Sequence, residues 1–292
     1  MSIFKGSGVA LITPFKNGRV DFDTLENLLD WHVKEGTDAI VVCGTSGEAS
    51  TLRDEEHLET IDFTIKKINK RIPVIAGVGS NFTDHAIEFS QEAEKMGADA
   101  LLHVTPYYNK ATKKGLIKHY TAIAKSTELP ILLYSVASRT GVNITADVCV
   151  ELAKLPNIVG IKEASGNIAQ VAEIARVTPD DFEIYSGNDD MVVPLLSLGG
   201  QGVISVVANV APKDTHDMVM KFHEGDIEGS KKQQLEMKEL IDALFIEVNP
   251  IPAKAALWLM GKCEYEYKLP LCEMEEDNLE KLRLAMKNYG LI

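Results

Sequence analysis

Eight short apolar runs recur through the first two-thirds of the chain, and nothing else in the sequence narrows the fold as much. They are GVALIT from Gly8, AIVVCG from Ala39, PVIAGVG from Pro73, ALLHVT from Ala100, PILLYSV from Pro130, IVGIKEA from Ile158, FEIYSG from Phe182 and GVISVV from Gly202. Runs that stay apolar over this length suit parallel strands covered on both faces, whereas half-exposed strands alternate apolar with polar. Most of the intervals carry a helical stripe. The clearest spans Phe22 to Gly36, where Leu25, Leu28, Leu29, His32 and Val33 recur at helical spacing and Gly36 is placed to cap the C-terminus. Another begins at Asp54, with Leu58, Ile61, Ile65 and Ile68 on one face before Pro73 opens the next strand. Eight strand-then-helix units in roughly 210 residues match a closed (β/α)8 barrel in number and length. Periodicity also admits an open doubly wound sheet, because it does not report closure.

After Val210 the strand pattern stops. Asp226 to Glu247 reads as one helix with Leu235, Leu240, Ile241, Leu244 and Phe245 on a single face; Pro252 suits a first helical turn; Leu279, Leu282, Ala285 and Met286 form a further stripe. The expected organisation is an α/β chain with a (β/α)8 TIM barrel over residues 1–224 and a C-terminal α-helical domain over residues 225–292. No Gly/Ser/Pro-rich linker separates the two, so the helices are expected to pack against the barrel or a neighbouring subunit.

Charge narrows the partners. With 30 Lys+Arg against 43 Asp+Glu the net charge is −13, which opposes attraction to nucleic acid or to an anionic membrane and favours a small-molecule ligand. Cys43, Cys149, Cys263 and Cys272 form no C-x-x-C pair and no metal spacing, and read as reduced thiols. The segment MSIFKGSGVALITPF lacks a basic stretch followed by a long apolar one, and no apolar run reaches the ~18 residues of a membrane span. The expectation is a soluble, cytoplasmic protein.

In barrels and open parallel sheets alike the site lies at the carboxyl ends of the strands. The residues ending the eight runs are rich in hydroxyls and contain a single lysine, Lys162. A strand interior is a costly place for an unpaired ammonium. Two readings are open: Lys162 pairs with a buried carboxylate, or its amine is a nucleophile. Tyr134 ends the neighbouring run, and adjacent strands lie only ~4.8 Å apart, so a phenol and an amine can meet over one substrate. That pair suits a Schiff base, in which a neutral lysine attacks a ketone while an acid/base moves protons on and off the carbinolamine. An ordinary lysine of pKa ~10.4 is neutral in only about one molecule in 2,500 at pH 7, and low-dielectric surroundings raise that fraction. Glu163, the next residue, points to the opposite face of a regular strand and is not the obvious partner.

Other features stay divided between structure and chemistry. Gly44-Thr45-Ser46-Gly47-Glu48 is either a tight strand-to-helix turn or a loop whose N–H groups hold a carboxylate. Arg139 is either a solvated loop arginine or a two-pronged carboxylate receptor. The aromatic pair in Thr105-Pro106-Tyr107-Tyr108-Asn109 either packs or carries protons. The seven histidines give no H-E-x-x-H pattern, Gly77-x-Gly79 lacks the third glycine of a dinucleotide fingerprint, and the Gly44 loop is neither a P-loop nor a serine-hydrolase elbow.

The motifs GTSGE, TPYYN, SRTG, GIKEASGN and GGQGVISV, in that order over essentially the whole chain, resemble those of the pyruvate-dependent class I aldolases of the N-acetylneuraminate lyase family. The resemblance implies a Schiff-base lyase or synthase, with Lys162 binding pyruvate, Tyr134 as acid/base, and Thr45 linking it to Tyr108 of a neighbouring subunit. It implies that Ser46 and the backbone of Thr45 hold the pyruvate carboxylate, that Gly187 and Ile204 line the pocket, and that Arg139 receives the carboxylate of L-aspartate 4-semialdehyde, a condensation on the route to diaminopimelate and lysine. A homotetramer of two tight dimers, with no metal or organic cofactor, is implied as well. The alternatives are an aldolase for N-acetylneuraminate or a 2-keto-3-deoxy sugar acid, and a non-catalytic keto-acid sensor. The chain departs from the pattern where family members often have threonine at Ser46, and asparagine and proline at Ser135 and Ala137; losing the proline frees φ in the loop carrying Arg139. A regulatory lysine site would involve Ser50, Asn81, His85 and Tyr107. Lysine-inhibited members usually place a glutamate where this chain has His85, and Ala49 and Asp54 differ too, so feedback inhibition by lysine is expected to be weak or absent.

Overall fold

The computed structural model describes residues 2–292, and in it all eight apolar runs are parallel strands: β1 (Gly6–Ala10), β2 (Ala39–Val42), β3 (Val74–Gly77), β4 (Ala100–Val104), β5 (Ile131–Ser135), β6 (Ile158–Glu163), β7 (Glu183–Ser186) and β8 (Gly202–Ser205). They pair in chain order and β8 closes onto β1, so the sheet is a barrel and the open-sheet alternative falls. A two-stranded hairpin, Phe15–Lys16 with Arg19–Val20, follows β1.

The helices obey the expected stripes. In Phe22–Lys34 the buried residues are Leu25, Leu28, Leu29 and His32; Asp21 caps the start by accepting from the Thr24 N–H at 3.2 Å, and Gly36 just beyond the end has φ +86°. Helix Asp54–Ile68 buries Ile61, Ile65 and Ile68 as read from the sequence, and Leu58 is half-buried against the same core. These faces pack on the outward residues of the strands, while inward residues such as Ala10, Val41, Ile75, Leu102, Leu132 and Ile204 fill the barrel.

The bottom of the barrel is sealed by the chain's own N-terminal segment. The Phe4 ring stacks on Tyr185 with centroids 4.4 Å apart, the Tyr185 hydroxyl lies 2.6 Å from the Phe4 carbonyl and 2.8 Å from Glu183 Oε2, and Ile3 N–H donates to Glu183 Oε1 at 3.1 Å. Gly160 makes room for this arrangement: a Cβ there would sit 2.3 Å from the Glu183 carbonyl oxygen. Access is left to the opposite end, where the strands finish.

Beyond helix Pro212–His223 come helices Ile227–Glu236, Lys238–Leu244, Ile251–Leu259 and Glu276–Tyr289. Pro252 lies in the first turn of the third and Leu282, Ala285 and Met286 are buried on the last, as expected, with Leu279 half-buried beside them. The expected single helix over Asp226–Glu247 is instead two, divided at Met237 (φ −77°, ψ −9°), and Leu235 and Phe245 are 65% and 43% exposed. Leu235 belongs to the preceding helix and Phe245 is the C-cap of the following one, so the break at Met237 takes them off the face on which Leu240, Ile241, Ala243 and Leu244 are buried. That face joins Ile12, Val206, Val207 and Val210 of the barrel in one apolar cluster.

Candidate active site

Register sets the two candidate reacting groups side by side. Tyr134 on β5 lies directly across from Lys162 on β6, and Lys162 lies across from Tyr185 on β7, so all three share the inner face. Lys162 is 5% exposed and its Nζ stands 4.4 Å from the Tyr134 ring centroid. It enters none of the ion pairs formed among the described residues. The buried-pair reading of Lys162 therefore fails. Glu163 faces outward as its alternation demands: its carboxylate accepts from the Ser165 N–H at 3.2 Å and from Gln170 Nε2 at 2.8 Å, and burial raises its pKa.

Gly187 is spare space beside the amine. A Cβ on it would lie 2.6 Å from the Ala164 Cβ and 3.1 Å from the Lys162 Cε. Ile204 is fully buried in the same interior cluster as Tyr134. Asp189, at the turn after β7, holds the end of β8 by accepting from the Val206 and Val207 N–H groups at 3.0 and 3.2 Å; its Oδ1 has no partner among the described residues, and burial raises its pKa.

The Gly44 loop is a tight turn and also presents side chains to the site. Gly47 N–H donates to the Gly44 carbonyl and Glu48 N–H to that of Thr45, both at 3.1 Å, while Cys43 and Glu48 are held in the left-handed region with φ +53°. Such conformations persist where the surroundings over-determine them. Thr45 lines a cavity of about 450 Å³ together with Val104, Tyr107, Tyr134, Arg139 and Asn249. Ser46 is buried, and its hydroxyl accepts from Asn249 Nδ2 at 3.0 Å.

Arg139 is held although the loop lacks a proline. The segment Ala137–Thr140 is a single helical turn, closed by Gly141 in the left-handed region, and Arg139 Nη2 donates to the Asn249 carbonyl at 2.9 Å. Thr140 ties the turn down: its Oγ1 accepts from Thr105 at 2.8 Å and donates to the loop's own carbonyls. Ser135 points away from the barrel interior and donates to Asn143 Oδ1 at 3.0 Å.

The remaining expected residues divide. Tyr107, Ser50 and His85 line the same cavity, and His85 Nε2 lies 3.4 Å from Asp54 Oδ1. Asn81 does not line it; its Nδ2 donates to the Tyr107 carbonyl at 3.2 Å and its carbonyl accepts from Asn109 Nδ2 at 2.9 Å, which fixes the TPYYN loop. Tyr108 is 92% exposed with φ +70° and is not brought to the cavity of its own chain. No three His, Cys, Asp or Glu among the described residues are grouped as metal ligands.

Sequence reasoning missed Asn249 and Lys254, and with Lys254 the buried pairing of Glu48. Lys254 Nζ lies 2.6 Å from Glu48 Oε1 with both side chains fully buried, 4.0 Å from the Phe15 ring centroid, and Glu48 Oε2 accepts from the Lys268 N–H at 3.3 Å. Burial pulls the Lys254 pKa below the usual lysine range, against the pull of Glu48. The signal was the one weighed at Lys162: a lysine inside an apolar stretch, here IPAKAALWL.

The chain matches the model of the dihydrodipicolinate synthetase family over residues 3–289. It is 55% identical to 4-hydroxy-tetrahydrodipicolinate synthase of Thermoanaerobacter sp. (strain X514), over 100% of this chain and 99% of that one. It is 57% identical to the synthase of Caldicellulosiruptor bescii, again over 100% and 99%. Among solved structures, dihydrodipicolinate synthase of Thermotoga maritima superposes with a TM-score of 0.98 at 42% identity, covering 100% of both chains. The chloride-inhibited enzyme of Acinetobacter baumannii complexed with pyruvate gives 0.97 at 46% identity, covering 99% of both. With a barrel-end lysine beside a tyrosine and full-length likeness of this degree, the chain belongs to the dihydrodipicolinate synthetase family.

Proposed function

We propose that this chain is a 4-hydroxy-tetrahydrodipicolinate synthase that condenses pyruvate with L-aspartate 4-semialdehyde. One observation carries the chemistry: Lys162 is buried and forms no ion pair, with its Nζ 4.4 Å from the Tyr134 ring centroid at the open end of the barrel. The Lys162 amine attacks the pyruvate ketone, Tyr134 passes a proton to the carbinolamine oxygen, and water leaves to give the imine. Loss of a methyl proton gives the enamine, whose carbon attacks the aldehyde carbon of the second substrate. The amino group of that substrate then displaces Lys162 from the imine carbon, closing the ring and regenerating the free amine.

Ser46 and the backbone of Thr45 hold the pyruvate carboxylate in this reading, with Gly187 and Ile204 shaping the pocket. Arg139 takes the second carboxylate, which a polyhydroxylated sugar substrate does not have, and this favours the semialdehyde over sugar-acid acceptors. Tyr108 from a neighbouring subunit completes the proton relay through Thr45. Its exposure, with that of Phe82 and Leu269 (61% and 83%), supports the assembly as a tetramer of two tight dimers. Residues 225–292 are a helical domain folded onto the barrel.

Treatment with pyruvate and borohydride followed by peptide mass measurement tests the assignment. The reduced adduct is expected on the peptide carrying Lys162 and absent from Lys162→Ala; an unmodified Lys162 peptide rejects the Schiff base. A coupled assay comparing aspartate semialdehyde with N-acetylmannosamine decides the acceptor.

A further inference from the structure

Asn249 stands 203 residues from Ser46 in sequence and touches both groups assigned to substrate carboxylates. Its side-chain Nδ2 donates to Ser46 Oγ at 3.0 Å, and its main-chain carbonyl accepts from Arg139 Nη2 at 2.9 Å. Asn249 and Ser46 are both buried, and Asn249 Oδ1 has no partner among the described residues. A buried acceptor left unpaired is an arrangement that apolar packing would avoid.

A serine hydroxyl has one proton and two acceptor lone pairs. With the amide N–H donating to the Ser46 oxygen, the Ser46 proton is not spent on Asn249, and it donates to no other group among the described residues. We infer that Asn249 is a positioning residue: it fixes Ser46 as a donor toward the pyruvate carboxylate, and through its main chain it separately steadies Arg139. This rests on the synthase reading and deepens it. The anchoring is stiff because Lys254, on the helix that begins just after Asn249, is paired with Glu48 two residues after Ser46. The C-terminal segment thereby grips the Gly44 loop at two points.

The two halves of the contact predict different kinetics. Asn249→Ala removes the amide but keeps the carbonyl, so the pyruvate concentration giving half-maximal borohydride adduct, and the KM for pyruvate, should rise about tenfold to a hundredfold, the range of one charge-assisted hydrogen bond. The KM for aspartate semialdehyde should stay within about twofold, because Arg139 is held by the main chain. Asn249→Asp should raise the pyruvate values further, since its carboxylate takes the Ser46 proton and repels the substrate. In a Ser46→Ala background, Asn249→Ala should add nothing more. Asn249→Leu, of similar shape, repeats the cycle if the alanine variant does not fold. The inference is overturned if Asn249→Ala leaves pyruvate half-saturation unchanged, shifts it equally in both backgrounds, or raises both KM values together. Absence of any adduct in the unsubstituted protein would instead reject the synthase reading itself.

Discussion

Replacing Lys254 by methionine keeps an unbranched side chain in the packing against Phe15 and Tyr267 and deletes only the charge that faces Glu48 at 2.6 Å. Breaking a buried pair by removing one partner costs about 3–5 kcal/mol, because the other charge stays buried. A stranded carboxylate can escape by taking a proton, and protonating an ordinary carboxyl of pKa ~4.3 at pH 7 costs about 2.7 units at 1.36 kcal/mol each, or ~3.7 kcal/mol. The same arithmetic gives ~1 kcal/mol at pH 5. Urea unfolding followed by circular dichroism, at matched protein concentration, should therefore show Lys254→Met about 3–4 kcal/mol less stable than the parent at pH 7 and only ~1 kcal/mol less stable at pH 5. Combining it with Glu48→Gln should recover most of the loss and remove the pH dependence, since a neutral amide needs no counter-ion. A deficit under ~1 kcal/mol at pH 7, or one that does not shrink at pH 5, would refute the claim that this pair holds the Gly44 loop. Turnover should fall with stability, because the loop carrying Thr45 and Ser46 is what the pair secures.

Three further outcomes follow from the geometry. Gly187→Ala places a Cβ 3.1 Å from the Lys162 Cε, so turnover should drop about 10- to 100-fold from misplacement of the amine; steady-state kinetics showing less than a twofold change would contradict that crowding. His216 Nδ1 lies 2.8 Å from Asp38 Oδ2, and this hydrogen bond raises the histidine pKa. Its stabilisation is full below the unfolded value of ~6.5 and is lost as pH rises through the folded value, so the gap in urea midpoint between the parent and His216→Asn should be larger at pH 5.5 than at pH 8.5. An equal or reversed gap would show that the pair does not couple to protonation. Finally, Asp54 is already engaged by His85, and no glutamate stands at position 85, so free L-lysine should inhibit weakly or not at all; a micromolar inhibition constant in the coupled assay would end that reading.

The strands and most helices were legible because their signals are local and repeated. A strand covered on both faces needs apolar residues at every position, and all eight runs became strands of one sheet. Over Asp226–Glu247 the apolar spacing reads as one helix, but the break at Met237 sets Leu235 on a separate helix and leaves Phe245 at a C-cap, and no local stripe marks that break. Lys162 was visible because a charge inside an apolar run is conspicuous. That it forms no ion pair was not, since partners are fixed by which strands close against which. An equally conspicuous lysine, Lys254, is fully paired.

By itself, then, the sequence determined the eight-unit α/β architecture, the lysine and tyrosine on neighbouring strands, and the family to which the motifs point. Closure of the barrel, the sealing of its lower end by Phe4 and Glu183, and the grip of Asn249 and Lys254 on the Gly44 loop were decided only in three dimensions. Periodicity encodes which face of an element is apolar, and that survives in one dimension. Contacts between polar groups some two hundred residues apart depend on angles and distances that no local pattern records.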